Sequence, residues 1–94
     1  MTTLRIEHKV PDYDGWKKAF DSDPVGRERS GVRRYSILRG IDDPNHVMID
    51  LEFDSQEEAQ ALLAAMQQVW SRVQGSIIFE PHARIAETVE TKEY

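Results

Sequence analysis

The hydrophobic period of this chain switches between two and about 3.6 residues, and the order of those switches restricts what it can fold into. Leu4, Ile6, His8 and Val10 alternate with Arg5, Glu7 and Lys9, which predicts a strand with one buried and one polar face. Pro11 ends it. Asp12 then stands where it can cap a helix that carries Tyr13, Trp16 and Phe20 on one side. Pro24, with Asp23 before it and Gly31 beyond, predicts a second short turn of helix with proline at its first position. Val32 to Gly40 predicts strand two. Its faces (Val32, Arg34, Ser36 and Leu38 against Arg33, Tyr35, Ile37 and Arg39) are both mixed, which leaves its orientation open.

Ile41-Asp42-Asp43-Pro44-Asn45 is a turn by composition. Strand three follows, with Val47, Ile49, Leu51 and Phe53 inward, so strands two and three form a hairpin. Ser55 and Glu58 then make a capping box ahead of a long helical pattern, Ala59, Leu62, Leu63, Met66, Val69, Trp70 and Val73, with Gly75 as its stop. Ile77-Ile78-Phe79 is apolar where a loop is expected. His82 to Glu90 predicts the last strand, with Ile85 and Val89 on one face.

The order is βαββαβ. Two helices cover only one face of a four-stranded antiparallel sheet, which predicts a single α+β domain over residues 1–94 of ferredoxin-like, split-βαβ type. The other face is expected to show Tyr35, Ile37, Met48 and Ala86 among charges. A chain of 94 residues supports one thin core, so docking sheet to sheet against a second copy is expected.

With a net charge of −5 and no long basic run, the chain repels phosphate backbones, which argues against nucleic acid as a partner. It has no cysteine, so disulfides, thiolate nucleophiles and Cys-based metal sites are excluded. The first residues form no apolar signal-peptide core, and no apolar run approaches the ~20 residues that span a bilayer. A cytoplasmic protein without membrane contact is the expectation.

The runs Val10-Pro11-Asp12-Tyr13-Asp14-Gly15-Trp16-Lys17, Gly31-Val32-Arg33-Arg34-Tyr35, Asp42-Asp43-Pro44-Asn45 and Leu51-Glu52-Phe53-Asp54-Ser55-Gln56-Glu57-Glu58-Ala59 resemble small bacterial proteins of the dimeric α/β-barrel superfamily, relatives of the antibiotic-biosynthesis monooxygenases. The resemblance covers nearly the whole chain and rests on turns, caps and core positions. It implies a homodimer and chemistry on a small aromatic or polyketide-like molecule with no cofactor. The haem-degrading branch carries an Asn on strand one and a Trp and a His on or after the second helix. Here strand one offers Glu7 and His8, and no His follows Trp70 on the helix.

The candidate site residues come from the same pattern. His8 stands on the apolar face of strand one, as a structural core histidine or as a general base. Trp16 and Trp70 are core packing or the walls of a pocket for a flat ligand. Met66 fits either role. Tyr35 is a hydrogen-bonding partner if it faces the pocket, and Phe79, with Ile77 and Ile78, an apolar flap. His8, His46 and His82 have no metal-ligand spacing, so no metal is expected. Asp50 and Glu52 share a strand face and predict ion pairs with Arg5 or Arg33. Two functional readings follow. One is a cofactor-free monooxygenase-like enzyme with His8 as base. The other is a non-catalytic dimeric binding or stress-associated protein, which predicts a filled core in place of a pocket.

Overall fold

The computed structural model describes residues 1–73 and 78–94. Strand β1 (Thr2–Lys9) leads to helix α1 (Tyr13–Asp21). The hairpin β2 (Arg34–Arg39) and β3 (His46–Phe53) follows, then helix α2 (Gln56–Val73) and strand β4 (Phe79–Glu87). The strands form one antiparallel sheet in the order β2-β3-β1-β4. Among the described residues no helix is long and apolar enough to cross a membrane. Gly75 and Ile77 lie outside the described residues.

Both helices begin as their caps dictate. The Gly15 N–H donates to Asp12 Oδ2 at 3.0 Å. The Glu58 N–H donates to Ser55 Oγ at 3.2 Å, and that hydroxyl donates to Glu58 Oε1 at 3.0 Å. Leu4, Ile6, Val47, Ile49, Leu51 and Phe53 supply the sheet's share of the core, each no more than 1% exposed. Full burial of such side chains contributes about 1.5–3 kcal/mol each before entropy is counted. Trp16 and Phe20 from α1, and Ala59, Leu62 and Trp70 from α2, cover them.

Four expectations need correction. The Pro24 segment forms a succession of turns, with Asp23 (φ 52°), Gly26 (φ 66°) and Gly31 (φ 101°) all left-handed, so the chain reverses too often for a helical turn to propagate. Strand two starts at Arg34 and ends at Arg39, two residues later and one earlier than its pattern suggests. Tyr35 and Ile37 do not face away from the helices. They stand opposite Leu51 and Ile49, whose side chains enter the core, so they lie on the helix side of an edge strand. Leu38, opposite Met48, takes the open face instead.

The last strand also departs from its pattern. It begins at Phe79, three residues before His82, and ends at Glu87, leaving Val89 exposed beyond it. Pro81 lacks an N–H for the ladder, which suggests a strand start. Here it sits in a bulge instead: the pairing of β1 with β4 slips between Glu7, opposite His82, and Lys9, opposite Phe79. Glu80, at φ 52°, supplies the bend.

On the open face Arg5 donates to Asp50 from Nε at 2.8 Å, and Arg34 pairs with Glu52, holding that carboxyl below its usual range. Arg33 takes Asp54 rather than either of the two carboxylates on β3.

Candidate ligand site

The bulge falls opposite His8, the central residue of the site. His8 sits on the helix side of β1, beyond Leu4 and Ile6, and is 3% exposed. Its Nδ1 is buried and has no hydrogen-bond partner among the described residues. Burial lowers the imidazole to about 4, partly offset by the polar Lys9 backbone and assisted by nearby His46. At neutral pH the ring is therefore uncharged.

Beside it a half-open cavity of about 280 Å³ runs between the sheet and the helices. Its floor includes His8 and Ile49, and Met66, Val69 and Trp70 of α2 form one wall. Trp16, Ala19 and Phe20 of α1 form another. The turns after α1 contribute Pro24, Val25 and Arg27, and Ile78 contributes from just ahead of β4. The His8 and Trp16 rings meet edge to face with centroids 5.5 Å apart, and Trp16 and Phe20 follow at 5.2 Å.

Four of the six sequence-derived candidates, His8, Trp16, Met66 and Trp70, thus reach one cavity. Tyr35 and Phe79 do not. Tyr35 packs its ring edge against Phe20 at 5.1 Å and lines an adjoining open groove with Arg27, Arg33 and Arg34. Phe79 is 38% exposed, because entering the strand directs it away from the helices; Ile78, 2% exposed, is turned inward in its place. Phe20 was legible in the α1 stripe. Val25 and Arg27 were not, because no periodicity marks a run of turns.

No family model matches the chain, and no curated protein matches it in sequence. Solved structures do. The cofactor-independent oxygenase SnoaB from Streptomyces nogalater superposes with a TM-score of 0.75 at 14% identity, covering 96% of this chain and 94% of that one. A dimeric ferredoxin-like protein from an uncultured marine organism superposes over the full length of both chains at 0.66 and 13% identity. This chain has the fold of the dimeric ferredoxin-like, antibiotic-biosynthesis-monooxygenase-like proteins. At 0.71 and 17% identity the fold is also that of MhuD, a point mutant of which was solved with two manganese protoporphyrin IX molecules per active site; both chains are covered completely. At these identities the likeness carries the fold and not the chemistry.

Proposed function

We propose that the cavity binds a small, flat aromatic or polyketide-like molecule bearing a hydroxyl, and that the protein is a cofactor-free monooxygenase-like enzyme with His8 as its base. The observation that carries this reading is the buried His8, its Nδ1 unpartnered among the described residues, in the lining of an otherwise largely apolar, aromatic-rich cavity. An unsatisfied buried nitrogen costs about 1–3 kcal/mol, and a ligand hydroxyl donating to it would recover much of that. An apolar cavity of about 150 Å³ admits benzene. One of about 280 Å³ suits two or three fused rings. No histidine follows Trp70 on α2 to serve a tetrapyrrole.

The chemistry follows from the environment of His8. A neutral imidazole accepts the hydroxyl proton, and the phenolate left beside it stabilises the imidazolium, raising the His8 pKa in the complex above its value in the free protein. Exclusion of water strengthens that pairing. The electron-rich anion then reduces dioxygen. One C–H bond of a ring CH2 conjugated with the phenolate breaks as the C–O bond forms, its proton ending on the outer oxygen of the hydroperoxide. Loss of water then breaks the second C–H bond and the O–O bond and leaves a carbonyl. One O2 is consumed and one water released per turnover.

The test is oxygen uptake against a panel of fused-ring phenols that carry a ring CH2, of the hydroxyanthrone kind. Saturable uptake that chelators leave unchanged and His8→Phe removes supports the enzyme. A panel with binding but no uptake above the uncatalysed rate overturns catalysis and leaves a binding protein.

A further inference from the structure

Arg27 is the only charged side chain among the described residues lining the cavity at neutral pH, and no carboxylate lines it. The turns after α1 deliver it there. The Arg27 N–H donates to Asp23 Oδ1 at 2.9 Å, and the Val32 N–H closes back on the Arg27 carbonyl at 3.0 Å. Its side chain is 15% exposed, with the guanidinium carbon 3.9 Å from the Phe20 centroid. Nη1 donates to the Phe20 carbonyl at 2.8 Å and stands 3.5 Å from Asp23 Oδ1. A guanidinium has five N–H donors in a planar fork. Among the described residues nothing accepts from Nε or Nη2. The cavity is thus lined by a neutral imidazole on β1 and, beyond Trp16 and Phe20, by a cation with free donors that stands between it and the groove beside Tyr35, 5.2 Å from that ring.

We propose that this site selects flat aromatic acids, in which a carboxylate pairs with Arg27 while a hydroxyl at the far end of the ring system reaches His8. The inference rests on the small-molecule reading above and specifies its substrate class. A planar guanidinium stacked on an aromatic ring matches a carboxylate bidentately, and a hydrogen bond to a charged group is worth about twice a neutral one. Apolar surroundings strengthen the pair, and Asp23, which accepts from the Arg27 N–H and pairs with Nη1, leaves Nε and Nη2 for the ligand.

The probes are 6-hydroxy-2-naphthoate, its neutral primary amide and 2-naphthol, titrated against tryptophan fluorescence near neutral pH. The wild type should bind the acid about tenfold or more tighter than the amide, as loss of a charge-assisted bond requires. Arg27→Met keeps the stacking length on Phe20 and should reduce that ratio to below about threefold while leaving 2-naphthol within about twofold. Equal binding of acid and amide by the wild type, or a preference that survives Arg27→Met, overturns the assignment. If the variant fails to fold, the wild-type ratio decides alone. 2-Naphthol binding without an acid preference overturns this inference only; no binding of any probe overturns the small-molecule reading with it.

Discussion

His8 is held neutral by burial, and that has a consequence for stability as well as for binding. Its folded pKa, about 4, lies below the unfolded value of 6.5, so the unfolded chain takes up the proton first as pH falls. The stabilisation is fully present above pH ~6.5 and is lost progressively as pH drops toward 4, to a limit of about 3 kcal/mol. Urea denaturation at neutral pH and near pH 4.5 should show the loss in the wild type, and the difference should shrink in His8→Phe. An equal pH dependence in both proteins would mean that His8 ionises freely in the folded state. At neutral pH the same variant should be at least as stable as the wild type, because its phenyl ring replaces a nitrogen that bonds to nothing among the described residues.

Among the elements, α2 depends most visibly on a single residue. Ser55→Ala removes the acceptor of the Glu58 N–H and should cost about 1 kcal/mol. In a domain of this size that lowers the melting temperature by about 4–8 °C, which thermal denaturation followed by circular dichroism would detect. The capping box, the α1 stripe and the alternation of β1 and β3 were legible in the sequence because each repeats one physical rule over several residues. The edge strands were harder. β2 has mixed faces because an edge position leaves Tyr35 and Leu38 both substantially exposed, so hydrophobicity cannot orient it. Pro81 misplaced the start of β4 because a bulge admits a proline that a regular ladder rejects. The site divides along the same line: the wall residues on regular elements could be read, whereas Arg27, delivered by turns, could not.

Over the whole molecule, the open face of the sheet sets apolar Leu38, Met48 and Ala86 among the Arg5–Asp50 and Arg34–Glu52 pairs. A second copy laid on this face would bury Leu38, Met48 and Ala86 together with the Arg5–Asp50 pair on the two central strands. Sedimentation at micromolar concentration should give twice the chain mass, and Leu38→Asp, at a position 47% exposed in one chain, should shift it toward the monomer without unfolding it. A wild-type monomer at that concentration would remove the sheet-to-sheet dimer. The cavity lies on the opposite side, against the helices, so ligand binding and association through the open face are separate questions. The most direct test of the central claim is calorimetric titration of 2-naphthol into the wild type and His8→Phe. The wild type should show one saturable site per chain, and a folded variant affinity at least about tenfold weaker, as loss of a buried hydrogen bond requires. Identical isotherms for the two proteins, or no binding to the wild type, would contradict that claim.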